Sequence, residues 1–362
     1  NNSQFVINDD FDIETDMLAG GTVLQLSVNL KEKSYDIIIE HGVLNRIGDF
    51  ADLNRKVLII SDTGVPMEYV NTVMKQCPQG YYHIVQQGEG AKSFPVYEEL
   101  CRKLLELNFT RTDCIIALGG GVIGDLAGFV ASTYLRGIEF IGIPTTTLSQ
   151  IDSSIGGKVA INLEHVKNII GCFYHPSVVL IDPETLKTLP KRHFVNGLVE
   201  AVKAGLIYDA SILDLFEHGN PETQVDEIIY RSLLVKKAVV EQDEKEQNLR
   251  KILNFGHTLG HGIESVYGLS ELLHGECVAI GMIPMLEDEA LKERILRIYD
   301  KLGLKSDVDY NADEVFDVMK KDKKAQGDSI TVVKVKEAGK ATLEKISMEQ
   351  LYQFLKEIKP QS

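Results

Sequence analysis

The stretch CIIALGGGVIGDLAGFVA at residues 114–131 decides the fold class of this chain. An apolar run ending at Leu118 passes through three glycines into a segment with apolar residues at helical spacing. This order predicts a buried strand, a tight turn and a helix whose free N–H groups face the turn. Because glycines let the backbone approach a pyrophosphate closely, the stretch favours a dinucleotide-binding domain.

Apolar runs similar to 114–118 occur at 56–61, 140–143 and 177–181, with helical patterns between them. Continuous apolar strands predict a mostly parallel sheet covered on both faces, as in Rossmann-like α/β domains. After residue 190 helical spacing predominates, at 198–207, 226–241, 254–267, 274–290 and 291–302, with one β-like segment at 329–335. We therefore predict an extension at 1–20, a nucleotide-binding α/β domain at 21–190 and a mainly α-helical C-terminal domain at 191–362, with a ligand cleft between the two domains.

Composition restricts the classes of partner. A length of 362 residues exceeds what one hydrophobic core usually fills, and the net charge of −15 disfavours binding to nucleic acid or to membrane surfaces. The sequence contains no apolar stretch near the ~20 residues that span a bilayer. Five cysteines without a C-x-x-C spacing predict reduced thiols and a cytoplasmic location.

Polar residues follow two of the predicted strands. Asp62, at the end of the run 56–61, is a better partner for an adenosine ribose than Glu139, which precedes a strand. The segment PTTTLSQIDSSIGGKVAIN at 144–162 combines hydroxyls with Asp152 and Lys158. This combination favours nucleotide and oxyanion contacts over a solvated surface loop.

Three short segments carry metal-binding residue types. Glu200 in GLVEAVK, His257 in LNFGHTLGH and His274 in LLHGE supply two histidines and one carboxylate, a ligand set that suits catalytic zinc. Spacing alone instead nominates His257 and His261, which lie four residues apart on one helical face. The residues by themselves leave both ligand sets open.

Four segments, 119–136, 144–162, 167–171 and 253–261, resemble the signature segments of 3-dehydroquinate synthases, and the resemblance extends over about 31–346. It implies a carbon–oxygen lyase of the shikimate pathway, in aromatic amino acid biosynthesis. Such an enzyme converts 3-deoxy-D-arabino-heptulosonate 7-phosphate to 3-dehydroquinate and phosphate. It reduces NAD transiently, uses Zn²⁺ or Co²⁺, and works as a homodimer on a phosphorylated sugar acid, not on nucleic acid or a membrane.

The resemblance also implies residue roles. Glu200, His257 and His274 would bind the metal, and the catalytic residues would be Asp152, Lys158, Lys203 and His261. The substrate-binding residues would be Arg136, Asn168, Lys236, Arg250, Asn254 and Lys323, with Arg250 on the carboxylate, Arg136 reaching across from a partner subunit, and Asn168, Lys323 and His261 near the phosphate. NAD would contact Asp62, Glu89, Lys92, Gly120, Gly121, Asp125, Thr145, Thr146, Lys158, Lys167 and Thr188. The chain departs from the family pattern at Gly64 and His193.

Three alternatives remain at this point. A metal-dependent polyol or alcohol dehydrogenase of similar fold would also have a glycine turn and a helical metal-binding domain, but it needs no receptor for two anions. Another sugar phosphate cyclase would act on a substrate without a carboxylate, against which Arg250 argues. A non-catalytic nucleotide-binding module would require neither the predicted metal ligands nor the basic residues.

Overall fold

The computed structural model describes residues 23–268, 271–306, 309–321 and 327–357. Within these ranges the chain divides into two compact units between Pro190 and Lys191. Lys323 and the predicted extension at 1–20 lie outside the described residues.

The N-terminal unit is built on a mostly parallel seven-stranded sheet. Its strands are β1 (Leu24–Asn29), β2 (Ser34–Ile39), β3 (Lys56–Asp62), β4 (Gln79–Val85), β5 (Cys114–Gly119), β6 (Glu139–Pro144) and β9 (Val178–Ile181). They lie in the order β1-β2-β9-β6-β5-β3-β4, in which only the β1–β2 pair is antiparallel. A separate antiparallel hairpin consists of β7 (Lys158–Leu163) and β8 (Val166–Phe173). The predicted strands at 56–61, 114–118, 140–143 and 177–181 are confirmed.

Helices cover both faces of this sheet, as continuous apolar strands require. The helices are α1 (Met67–Met74), α2 (Phe94–Glu106) and α3 (Gly121–Thr133). Alternate residues of β5 enter different cores: Ile115 packs in the core that includes residues of α2 and α3, and Ile116 in the core that includes residues of α1. The sheet is therefore buried on both sides at β5, whose carboxyl end meets the glycine turn.

The C-terminal unit is mainly helical. Its helices are α4 (Lys191–Ile207), α5 (Ser211–His218), α6 (Val225–Gln242), α7 (His257–Tyr267), α8 (His274–Met282), α9 (Glu289–Leu302), α10 (Ala312–Lys320) and α11 (Met348–Glu357). An antiparallel pair, β10 (Ser329–Glu337) and β11 (Lys340–Ser347), completes the unit.

Two details of the C-terminal unit differ from the sequence expectation. The predicted helix at 274–290 is wrong as one element, because α8 ends at Met282, Pro284 follows, and Asp288 caps a new helix by accepting the Leu291 N–H at 2.9 Å. The single predicted strand at 329–335 has a second strand, β11, as its partner. Among the residues described, the structure contains no helix with the length and apolar character needed to cross a membrane.

Candidate functional site

The glycine turn in the N-terminal unit opens onto a cavity. Gly120 precedes the first turn of α3, whose unpaired N–H groups and dipole favour an anion at this end. A Cβ on Gly120 would lie 3.1 Å from the Thr146 methyl, and one on Gly121 would lie 3.4 Å from the Ser153 hydroxyl. The cavity wall includes glycines, serines and two charged residues: Gly119, Gly120, Gly121, Asp125, Ser149, Ser153, Ser154, Gly157 and Lys158.

The segment between β6 and β7 forms the other side of this cavity. Ser149–Ser153 is a π-helical turn that contains Asp152, and Lys158 is the exposed first residue of β7. Buried Gln150 anchors the turn by donating to the Pro144 carbonyl at 3.0 Å and to the Thr185 hydroxyl at 3.1 Å. Thr145 is held to the glycine turn, since its N–H donates to the Gly119 carbonyl at 3.0 Å. The polar segment predicted to contact a nucleotide thus surrounds the glycine turn.

A buried lysine contacts three other predicted residues. Lys92 is 3% exposed; its ammonium donates to Asp125 at 2.8 Å and to the side-chain amide oxygen of Asn168, and lies 3.4 Å from Glu89. Asn168 has a left-handed backbone, with φ +55°, and its N–H donates to the Asn162 side chain at 2.8 Å. Burial raises the pKa of Asp125, although the Lys92 ammonium opposes the shift. The structure joins Asn168, assigned to substrate phosphate, to Lys92 and Asp125, assigned to NAD.

Asp62, Thr188, Lys167 and Arg136 neither line this cavity nor contact Lys92. Asp62 ends β3, next to β5, and accepts the Gly64 N–H at 2.8 Å; burial raises the pKa of its carboxyl. Thr188 shares a 2.8 Å hydrogen bond with the Tyr69 hydroxyl. Lys167 is exposed on β8, and Arg136, with φ +63°, lies in the turn after α3.

The C-terminal unit brings together one carboxylate and two imidazoles. Glu200 on α4, His257 at the start of α7 and His274 at the start of α8 place their ligand atoms within 4.8 Å of one another. His257 Nε2 lies 3.1 Å and His274 Nε2 lies 3.5 Å from the same oxygen, Glu200 Oε1. Two ligand atoms bound to one tetrahedral zinc ion at ~2.05 Å lie about 3.3 Å apart, so these separations fit a shared ion.

The hydrogen bonds around the cluster direct both Nε2 atoms toward Glu200. His257 Nδ1 faces the Phe255 carbonyl at 3.0 Å, and His274 Nδ1 faces a Glu264 oxygen at 2.9 Å. Both of these oxygens only accept hydrogen bonds, so in the neutral imidazoles the proton resides on Nδ1 and Nε2 has the lone pair. Among the described residues, none donates a hydrogen bond to either oxygen of Glu200, which is 2% exposed, although the Lys203 ammonium contacts Oε2 as an ion pair. This is the donor set that a divalent cation requires.

Charge around Glu200 is consistent with a cation site. Burial by itself would raise the pKa of Glu200, but the Lys203 ammonium and the two imidazoles hold it well below its usual range. Burial likewise opposes protonation of His274, yet Glu200 and Glu264 raise its pKa to about 10. Glu200 therefore stays an ionised carboxylate beside two imidazoles, whose place as partners a metal ion can take.

Glycines allow α7 and α8 to approach closely. Gly256, with φ +75°, precedes α7, and a Cβ there would lie 2.3 Å from Met282. On α8, a Cβ at Gly281 would lie 2.2 Å from the Gly256 carbonyl oxygen and 2.7 Å from the Gly260 nitrogen. Larger side chains would separate the two helices that carry the histidines.

Lys203 contacts the cluster, and the other predicted residues of this unit that the structure describes lie on α6, on α7 and in the segment before α7. Lys203 is 5% exposed, contacts Glu200 Oε2 and donates to the Leu253 carbonyl at 2.8 Å. Arg250 is buried, and Asn254 ends the same 3-10 segment, Leu249–Asn254. Lys236 is half-buried on α6. The His261 ring centroid lies 5.2 Å from that of His257 and 5.9 Å from that of His274.

Sequence reasoning missed two carboxylates of this unit: Glu264, which contacts His274, and Asp243. Glu264 follows His257 and His261 by seven and three residues, so the i, i+4, i+7 spacing on one face of α7 was a usable signal. Asp243 accepts the N–H groups of Gln247, Asn248 and Arg250 at 2.7–3.0 Å, which shapes the loop before Arg250. A turn of this kind has no signature as regular as a helical repeat.

Sequence comparisons identify relatives over most of the chain. The model of the 3-dehydroquinate synthase N-terminal region matches residues 82–196, and that of the C-terminal region matches residues 197–325. The 3-dehydroquinate synthase of Clostridium kluyveri is 39% identical over 350 residues, which cover 91% of this chain and 98% of that protein. That of Streptococcus suis is 41% identical over 353 residues, which cover 92% and 99%.

Solved structures of sugar phosphate cyclases share the fold. 2-Deoxy-scyllo-inosose synthase, in complex with carbaglucose-6-phosphate, NAD⁺ and Co²⁺, has a TM-score of 0.84 at 25% identity, covering 92% of this chain and 100% of that one. The 2-epi-5-epi-valiolone synthase of Streptomyces hygroscopicus, with NAD⁺ and Zn²⁺, has a TM-score of 0.82 at 27% identity, covering 91% and 98%. A glycerol dehydrogenase from Schizosaccharomyces pombe, at 16% identity and a TM-score of 0.60, covering 88% and 87%, shows likeness of fold alone. With both family models matched in sequence order and relatives aligned over nearly their full length, this chain belongs to the 3-dehydroquinate synthase family.

Proposed function

We propose that this chain is a carbon–oxygen lyase that converts 3-deoxy-D-arabino-heptulosonate 7-phosphate to 3-dehydroquinate and phosphate. The observation that carries the proposal is the buried Glu200 carboxylate, faced by the Nε2 atoms of His257 and His274 at 3.1 and 3.5 Å. Bound NAD would supply a hydride acceptor that is regenerated within the cycle, and a cation held by Glu200, His257 and His274 would supply polarisation of the hydroxyl that is oxidised. The resulting ketone acidifies the neighbouring C–H, which makes loss of phosphate feasible.

Glu200, His257 and His274 would hold Zn²⁺ or Co²⁺ and leave a coordination position for substrate oxygens. The donor chemistry supports this assignment, since a buried carboxylate and two imidazole lone pairs converge without satisfying one another. The cations named in the two cyclase structures are of the same kind.

The glycine turn and its surroundings would hold NAD. Gly120 and Gly121 admit the pyrophosphate to the N-terminus of α3, and Thr145 and Thr146 lie against the same turn. Asp62 is suited to the adenosine ribose, because it lies one strand away from the turn at the same edge of the sheet. The remaining predicted contacts are Glu89, Lys92, Asp125, Lys158, Lys167 and Thr188.

Basic residues would receive the two anionic groups of the substrate. Arg250 binds the carboxylate through its planar guanidinium, and Asn254 and Lys236 orient the hydroxyls. Asn168, His261, Lys323 and a partner subunit's copy of Arg136 bind the phosphate, which makes a homodimer part of the proposal. Asp152 lies beside the reacting hydroxyl, while Lys158 and Lys203 stabilise oxyanions as they develop.

The deciding experiment is incubation of the metal-loaded protein with the phosphorylated seven-carbon sugar acid and catalytic NAD. We expect stoichiometric phosphate release and no net NADH. Net NADH would favour a dehydrogenase, and equal turnover of the matching ketose phosphate without the carboxylate would favour another sugar phosphate cyclase. The cytoplasmic location indicated by the cysteines stays a prediction.

A further inference from the structure

Glu264 lies behind the proposed metal ligands and is absent from the ligand set assigned above. It is on α7, seven residues after His257, and its Oε2 lies 2.9 Å from Nδ1 of His274 on α8. The two side chains are 21% and 27% exposed, so water competes little for this hydrogen bond. The contact links the helix of one histidine ligand to the ring of the other.

The hydrogen bond determines which nitrogen of His274 can bind a cation. A carboxylate accepts and does not donate, so Nδ1 carries the proton of the neutral ring. The lone pair is then on Nε2, which lies 3.5 Å from Glu200 Oε1. In the other tautomer Nε2 of His274 would present an N–H where the lone pair is needed, and a ring turned over would present a C–H there.

We infer that Glu264 is a positioning residue that holds the His274 imidazole in the tautomer and orientation required for metal binding. The inference rests on the proposed function, since it assumes a cation at Glu200, His257 and His274. His257 receives equivalent support from the Phe255 carbonyl, at 3.0 Å from its Nδ1. Backbone supports His257, whereas His274, at the start of another helix, depends on a side chain that mutation can remove.

Glu264 could instead be a ligand, because Glu264, His261 and His274 also place ligand atoms within 4.8 Å of one another. Its 2.9 Å separation from Nδ1 is that of a hydrogen bond and is shorter than the ~3.3 Å between two ligands of a tetrahedral ion. His274 Nδ1 cannot both donate to Glu264 and coordinate a cation. The positioning role therefore fits the distances better.

The test compares Glu264→Ala, which removes the acceptor, with Glu264→Gln, which keeps a neutral acceptor of the same length. Alanine favours the helical state, so α7 is expected to form in both variants, and far-UV circular dichroism checks it. Glu289→Ala, on the exposed start of α9, is the control for loss of one negative charge. The measurements are Zn²⁺ and Co²⁺ stoichiometry, affinity by competition with a chromophoric chelator, and the visible absorption of bound Co²⁺.

We expect Glu264→Ala to bind either cation 10–100-fold more weakly than wild type, the usual effect of removing such a supporting carboxylate, with an altered Co²⁺ spectrum. Glu264→Gln should recover most of the affinity, and Glu289→Ala should match wild type. An alanine variant with wild-type affinity, or a glutamine variant as weak as the alanine variant, overturns the positioning role. The positioning role is also overturned if wild type binds two equivalents of metal and Glu264→Ala binds one, because Glu264 would then be a ligand.

The outcome for wild-type protein separates this inference from the proposed function. Wild type that binds neither cation would overturn the proposed metal centre and the inference with it. Wild type that binds one equivalent, together with an unaffected Glu264→Ala variant, overturns the inference alone.

Discussion

Substitution of Gly281 by alanine should damage both the stability of the C-terminal unit and its affinity for metal. The added Cβ would lie 2.2 Å from the Gly256 carbonyl oxygen and 2.7 Å from the Gly260 nitrogen. Both atoms are backbone, so no side chain can move aside. Restoring ordinary contact requires α7 and α8 to separate by about 1 Å.

The expected change in the free energy of unfolding is the difference between two opposing effects. Alanine in place of glycine in a helix gains at most about 1 kcal/mol, whereas overpacking against backbone costs up to about 3 kcal/mol. The net loss of ~1–2 kcal/mol corresponds to a melting temperature lower by roughly 2–8 °C for a unit of this size. Because His257 is on α7 and His274 on α8, and metal–ligand distances tolerate only about 0.2 Å, zinc affinity should fall about 10-fold or more.

The assay is differential scanning calorimetry with and without Zn²⁺, combined with chelator competition. Gly48→Ala is the matched control, because its Cβ would meet only Leu53, at 3.9 Å. A Gly281→Ala protein with wild-type melting temperature and zinc affinity would refute the argument that close helix contact assembles the metal ligands.

Three further results are expected. Lys158→Ala should lower kcat by about 100–1000-fold with little change in NAD affinity, because Lys158 acts on charge formed during reaction; unchanged kcat would remove it from the catalytic set. Chelation should abolish phosphate release and lower the melting temperature, with Zn²⁺ or Co²⁺ restoring both, and full activity in a verified metal-free sample would contradict the metal assignment. Burial by itself would raise the pKa of Asp243, but three backbone N–H groups that it accepts hold that pKa below its ordinary value. Its contribution to stability is therefore present above about pH 4 and lost as pH falls further, so Asp243→Asn should flatten the acid limb of a denaturation–pH profile.

Much of the N-terminal unit was predictable because its signals are local. The run 114–118 is apolar without interruption, and three glycines follow before the helical pattern begins, so strand, turn and helix are each specified within a few residues. The late strand β11 was missed because its exposed and half-buried residues alternate weakly, and pairing with β10 decides its conformation. Pro284 interrupts the predicted helix at 274–290, a local signal that was overlooked.

The metal cluster was also predictable only in part from the sequence. Helical spacing on α7 correctly placed His257 and His261 on one face but could not say which of them meets Glu200, because the answer depends on where α4 and α8 lie. Family resemblance supplied the ligand set Glu200, His257 and His274, whose side chains the structure brings together; their role as metal ligands stays a proposal.

By itself, the sequence determined what depends on neighbouring residues: the buried strand before the glycine turn, the helical character after residue 190 and the residue types available for chemistry. Only the tertiary structure decided the contacts between residues far apart in the chain, such as Lys92 with Asn168, Glu200 with His274, and His274 with Glu264. The physical reason is that a few ångströms of packing decide whether such side chains meet, as Gly256, Gly260 and Gly281 do between α7 and α8, and no local pattern encodes that distance.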